Sequence, residues 1–337
     1  MASNDLQGWI PRLLAVWRRA RAAGGRQGGG RRPPGRGELG PPDALTRVEL
    51  REVAQGVKQL SHGLTREREL AGARYMDDPK LLGAYLLFYW PVSYAQGRAA
   101  LAEVGQRPRA VLDLGAGPGP LAFAALDAGA REVVAADRSR AALVERLLER
   151  LAPGGSVLLV EPALKETSRA LLQVRDLLVA RGVAVRAPCL YRGACPALVK
   201  PTDWCHAERP WQPPPLVETL ARAAGLHKEA LKMSYLVLAP KGEAWPAVPE
   251  GRHFRIVSEA LEGKGRQRFM GCGPEGRVGL AMQERHRAEG NQRFFSLQRG
   301  DVIRIGSTEE RGDGLALGEA STVEVVAPAG RAFPPRS

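Results

Sequence analysis

The chain has 337 residues, with 49 Lys+Arg against 36 Asp+Glu and a formal charge of +13. Apolar residues make up 44% and charged residues 25%, an ordinary globular balance that excludes wholesale disorder. No apolar run approaches the ~20 residues that span a bilayer, and four cysteines are too few for a disulfide scaffold. The start of the chain lacks a continuous apolar stretch, which argues against a secretory signal. The expected class is a soluble, intracellular protein, with length as a soft prior for two domains. A pI near 10.1 points to nucleic acid as partner, because neutralised phosphates release condensed counterions.

Leu6, Ile10, Leu13, Leu14 and Trp17 recur at helical spacing and predict an amphipathic helix over 6–22. The Gly-, Pro- and Arg-rich stretch 24–35 reads as a linker, so residues 1–40 are expected to form a basic arm. Region 41–108 reads as helical, with Leu45, Val48, Leu50, Val53, Val57 and Leu60 as its buried stripe. The aromatic run 81–90 is expected to be helix–helix core, and Pro91 to kink or break the helix.

From Arg109 to about 246 the pattern alternates strand and helix, which implies a parallel sheet with helices on its faces. Strands are expected at 110–114, 132–136, 156–160, 183–185 and 234–239, and helices at 120–129, 139–151, 165–181 and 216–225. A Cys/Pro-rich insertion occupies 187–212. Residues 247–330 read as short strands with Gly turns, suggesting a small β-barrel, with 331–337 as a tail. Arg252, Arg255, Lys264, Arg266 and Arg268 form a basic set suited to phosphates.

Asp113-Leu114-Gly115-Ala116-Gly117-Pro118-Gly119 follows a predicted strand and opens a helix. Glycines let the backbone approach a ligand closely, and the helix start offers unpaired N–H groups. Asp137, at the end of the next predicted strand, is placed to accept bonds from ribose hydroxyls. The acid before the loop and its Gly-x-Gly-x-Gly spacing resemble motif I of the class I methyltransferases, which bind S-adenosylmethionine. Only Arg138–Arg150 separate Asp137 from Leu151, so a strand–helix–strand unit of that fold is expected to be missing. The adenine contacts and the usual catalytic motif go with it, and no catalytic base can be named.

Cys189, Cys195 and Cys205 fall close together among prolines and glycines, and Cys272 lies in the C-terminal region. Such a loop can aim several thiolates at one centre, fitting either Zn²⁺ or an iron–sulfur cluster, and the spacing alone does not choose. His206 is a further candidate ligand.

Leu60–Arg68, Tyr75-Met76, Ala84–Leu86, the 112–119 loop, Pro153–Gly155 with Glu161-Pro162, Ala187–Cys189, Cys195-Pro196 and Asp203-Trp204-Cys205-His206 recur together, in an order that resembles the methyltransferase-like small-ribosomal-subunit assembly family. The likeness spans about 45–285. It implies a protein that binds the maturing small subunit and its rRNA, with Cys189, Cys195, Cys205 and Cys272 holding a [4Fe–4S] cluster. Leu190-Tyr191 departs from the family's usual residues after the first Cys, without removing a ligand. The expected function is an rRNA-binding assembly or translation factor, monomeric, with no membrane association. It is expected in the cytoplasm on ribosomes, or alternatively in the mitochondrial matrix. The alternative is an S-adenosylmethionine-dependent rRNA methyltransferase, with Asp113, Gly115, Gly117, Gly119 and Asp137 around the cofactor.

Overall fold

The computed structural model of the protein describes residues 3–24, 40–63, 76, 78–104, 109–114, 116, 118–136, 154–227 and 229–333. In chain order the elements are α1 (Ser3–Gly24), α2 (Arg47–Ser61), α3 (Pro79–Ala84), a π-helical turn (Tyr85–Tyr89), α4 (Trp90–Ala102), β1 (Ala110–Leu114), α5 (Pro120–Asp127) and β2 (Glu132–Ala136). Next come β3 (Val157–Pro162), α6 (Lys165–Ala180), β4 (Val185–Ala187), β5 (Ala207–Pro210), α7 (Pro215–Ala224) and β6 (Ala230–Leu238). The chain ends with β7 (Arg252–Ile256), β8 (Leu261–Gly263), β9 (Arg266–Gly273), β10 (Gly276–Gln283), β11 (Val302–Arg311) and β12 (Gly314–Ala327). Gly24, the first residue of the linker expected at 24–35, ends α1; the rest of that stretch and the helix expected at 139–151 lie outside the described residues. The chain divides into two compact units, one of 1–98, 110–137 and 210–231, the other of 99–109, 138–209 and 232–337.

In the first unit, α1 buries Leu6, Ile10, Leu14 and Trp17, so the apolar stripe outweighs Pro11 inside the helix. A capping box starts α2: Thr46 Oγ1 accepts the Glu49 N–H at 3.2 Å, and the Glu49 carboxylate accepts the Thr46 N–H at 2.9 Å. That register turns Glu49, Val53, Val57 and Leu60 inward and leaves Val48 68% exposed. The expected stripe was therefore wrong at Val48. Arg18 of α1 meets Glu49 in a two-pronged pair at 2.9 Å and also donates to the carbonyls of Gly40, Pro41 and Ala44. This arginine of the expected arm is an internal strut.

The aromatic run packs as core: Leu86, Leu87, Phe88 and Trp90 are buried. Pro91 does not break the helix. The π-turn before it closes with a Trp90 N–H to Tyr85 carbonyl bond, and the wider turn admits the ring without a break. β1 and β2 pair in parallel, with α5 between them.

In the second unit, β6 lies between β3 and β4 and runs antiparallel to both; β5 also pairs with β6. Parallel pairing in the expected α/β sheet is thus seen in β1–β2, whereas these strands are antiparallel. One face packs Leu236 and Leu238 against Leu171 and Leu178 of α6; the other packs Met233, Tyr235 and Val237 against Ala100 of α4. The remaining strands pair as β7–β9, β9–β10, β10–β12, β12–β11 and β11–β7. Only β10–β12 is parallel, and the pairings form a closed ring with β8 added to β9. Phe254, Ile256, Phe269, Leu280, Phe294 and Ile303 fill its core.

Candidate functional site

Helix α6 organises the cysteine loop. Arg169 donates to the carbonyls of Ala197, Lys200 and Asp203 at 2.6–3.1 Å, which fixes the turn between Cys195 and Cys205. Arg175 is buried and donates to the carbonyls of Tyr191 and Gly193. Asp176 accepts the Cys195 N–H at 2.9 Å. Ser234 Oγ on β6 donates to the Cys205 carbonyl at 3.0 Å and pairs with the buried Ser168 Oγ of α6 at 2.7 Å. Every backbone anchor of the loop is a polar side chain on α6 or β6.

Cys272 arrives from β9, opposite Arg255 on β7 and Arg277 on β10. Cys189, Cys195, Cys205 and Cys272 all line one cavity, and all four are free thiols. Burial, then the neighbouring sulfur of Cys189, pushes the Cys195 thiol up to about 12 and Cys205 to about 11, and moves Cys272 the same way. Left empty, the pocket keeps these three thiols protonated. Among the described residues, no three His, Cys, Asp or Glu side chains stand close enough together to hold a single metal ion.

Arginines surround the sulfurs. Arg209, Arg255, Arg277 and Arg299 line the cavity, and each has a buried Nε–H with no hydrogen-bond partner. Arg175 lies within electrostatic reach of Cys189, and its Nε is likewise buried and unpaired. Part of this charge is offset by Glu103, which is buried and takes Arg209 at 2.5 Å, Arg255 at 3.4 Å and the Tyr235 hydroxyl. Arg277 pairs with Asp203 at 3.2 Å. Unpaired buried donors are costly, so an acceptor in the cavity, ordered water or a ligand, would be favoured here. His206 lines the same cavity, stacks on Trp204 at 6.1 Å and is pushed down to about 4 by burial and Arg299, so it is neutral there.

The glycine turn is a separate place. Asp113 is buried, and its Oδ2 accepts the Ala122 N–H at 2.9 Å, anchoring the first turn of α5; burial raises its carboxyl above the usual range. Gly119 caps α5 at φ +79°, a left-handed conformation that favours glycine. Gly115, Gly117 and Asp137 lie outside the described residues.

Sequence reasoning missed Glu103, the anchors on α6 and the arginine ring; of the ring it named Arg255, as part of a phosphate-facing set, whereas Arg255 is buried against Glu103. One signal was available: Arg175 falls within the apolar stripe of Leu171, Leu172 and Leu178, where an arginine needs a buried acceptor.

No helix among the described residues is long and apolar enough to cross a membrane. No curated protein matches the chain significantly. The model of the family described as mitochondrial small ribosomal subunit Rsm22 matches residues 131–303, a span that includes all four cysteines. Because that match covers half of its length, the chain belongs to the mitochondrial small ribosomal subunit Rsm22 family.

Proposed function

We propose that the protein is an assembly or translation factor that binds rRNA of the small ribosomal subunit and holds a [4Fe–4S] cluster on Cys189, Cys195, Cys205 and Cys272. The observation that carries the cluster is the shared cavity: four thiols line it, and cationic side chains with unused N–H donors surround it. A cluster with four thiolates is an anion whose sulfurs accept hydrogen bonds, which fits this donor set. Zn²⁺ on the same four thiolates is the alternative occupant, and acid-labile sulfide distinguishes the two. The cluster would supply a covalent tie between the 189–205 loop and β9. The arginines would offset its charge and favour the thiolate forms of Cys195, Cys205 and Cys272 against the burial that raises them.

The methyltransferase reading keeps one supporting feature, the strand–glycine turn–helix–strand segment of β1, α5 and β2. Asp113 already spends a carboxylate oxygen on α5, and no catalytic base is in evidence among the described residues. We infer a Rossmann-like scaffold retained for shape. Sucrose-gradient sedimentation of the full chain with small subunits, with labelled S-adenosylmethionine present, tests both parts. Co-sedimentation without methyl incorporation into rRNA is expected. Stoichiometric incorporation would install the enzyme reading instead, and failure to co-sediment would remove the ribosomal one.

A further inference from the structure

We propose that the outward face of β9 and β10 is a binding surface for single-stranded RNA; this rests on the ribosomal reading above and names the surface that meets the nucleic acid. Strand order is the first observation. Taking β7, β9, β10, β11 and β12 as strands one to five, the ring runs one–two–three–five–four and back to one, with three and five parallel. We read this as a barrel of the oligonucleotide-binding type, in which strands two and three, with the loops joining one to two and four to five, form the ligand surface.

The residues on that surface are the second observation. Phe269 and Leu280 point into the core, so alternation turns Arg266, Arg268 and Met270 of β9 outward with Gly279 and Ala281 of β10. Arg268 stands opposite Ala281 and Met270 opposite Gly279, and β12 continues the rows with Ala316 and Gly314. A Cβ built on Gly279 meets nothing within 4 Å, so the face is open there. Its small residues leave a shallow floor beside two long cations about 7 Å apart along the strand.

Charge is the third observation. Arg266, Arg268 and Lys264 are exposed, and among the described residues none has an ion-pair partner. Elsewhere on these strands the cations are occupied: Arg304 pairs with Glu324, and Arg252 donates to Thr308. Cations left unpaired at the edge of an open floor suit a polyanion. The flat guanidinium groups, the exposed Leu261 and the half-buried Met270 side chain offer contacts for unpaired base faces, which a duplex keeps stacked inside. With no aromatic residue in these rows, the expected binding is tolerant of sequence and steep in salt.

The test is fluorescence anisotropy of the full chain with a labelled single-stranded RNA of about sixteen nucleotides over a salt series. The R266Q/R268Q double variant is expected to bind roughly tenfold more weakly and to lower the slope of log K against log[salt] by about 1.4, as for two lost phosphate contacts. Gly279→Leu fills the open floor and is expected to weaken binding with Tm unchanged. Arg304→Gln removes an equal charge from another strand and is expected to bind like wild type. Wild-type binding by R266Q/R268Q overturns the proposal, as does equal weakening by Arg304→Gln or preference for a duplex. Crosslinking of this face to a subunit protein rather than to RNA also overturns it. Small-subunit co-sedimentation separates the two readings. If wild type fails to co-sediment while oligonucleotide binding still depends on Arg266 and Arg268, the ribosomal reading falls and the surface stands. If wild type and the double variant co-sediment and bind RNA alike, the surface falls alone.

Discussion

Cys272 lies 67 positions beyond Cys205 in sequence, yet it opens onto the same cavity. Replacing it by serine removes one ligand, and bound iron per chain is expected to fall to near zero with loss of absorbance near ~400 nm. Arg277 tests the surrounding charge more gently, since it is partly exposed and its carboxylate partner Asp203 also reaches solvent. Arg277→Met withdraws a positive charge and a donor from the sulfurs, so the cluster's midpoint potential is expected to fall while iron content holds; an unchanged potential would detach this arginine from the cluster. Glu103 is the counterweight. Glu103→Gln leaves Arg209 and Arg255 buried without their carboxylate, and urea unfolding is expected to show a loss of about 3 kcal/mol. Cys189, Cys195 and Cys205 were legible because they cluster visibly along the chain, and Cys272 only as the one cysteine left over. The guanidinium ring was not, because most of its members come from distant segments and only Arg175, set in an apolar helical stripe, carries a periodic mark.

Helix α2 shows how a single carboxylate sets the register of an element. Desolvation pushes the Glu49 carboxyl up, but hydrogen bonds from Arg18 and Thr46 together outweigh it and hold the group below the usual value near 4.5. A depressed folded value means the contribution is complete above pH 4.5 and is lost as pH falls through that lower value. The stability difference between wild type and Glu49→Gln, followed by urea unfolding, is therefore expected to be constant from pH 7 to 5 and to shrink below 4.5. Arg18→Met strands the carboxylate and is expected to cost about 3 kcal/mol at pH 7. At Gly83, a Cβ would run into the Trp17 indole, so Gly83→Ala is expected to cost about 1–3 kcal/mol by forcing α1 and α3 apart. Periodicity exposed the helices and most strands. It misplaced Val48 because apolar spacing cannot anticipate a buried ion pair at Glu49, and short strands were expected in 247–330 where β12 runs from Gly314 to Ala327, because its Gly- and Ala-rich start has little strand propensity.

Each of the two units is assembled from stretches far apart in sequence, a property that no local pattern reveals. Texture alone separated helical, alternating and β-rich regions, and the β-rich region does close its pairings on themselves. Texture also suggested one parallel sheet, but β6 reverses direction between β3 and β4, and strand direction is set by connections rather than composition. Within the second unit, the face of β9 that carries Arg266 and Arg268 ends at Cys272, so the proposed RNA surface and the cysteine cavity share a strand. The central claim is the inorganic centre in that cavity, and the direct measurement is iron and acid-labile sulfide per chain after anaerobic purification. About four of each per chain are expected. One zinc per chain without sulfide, or no metal in fully folded protein, would contradict the account.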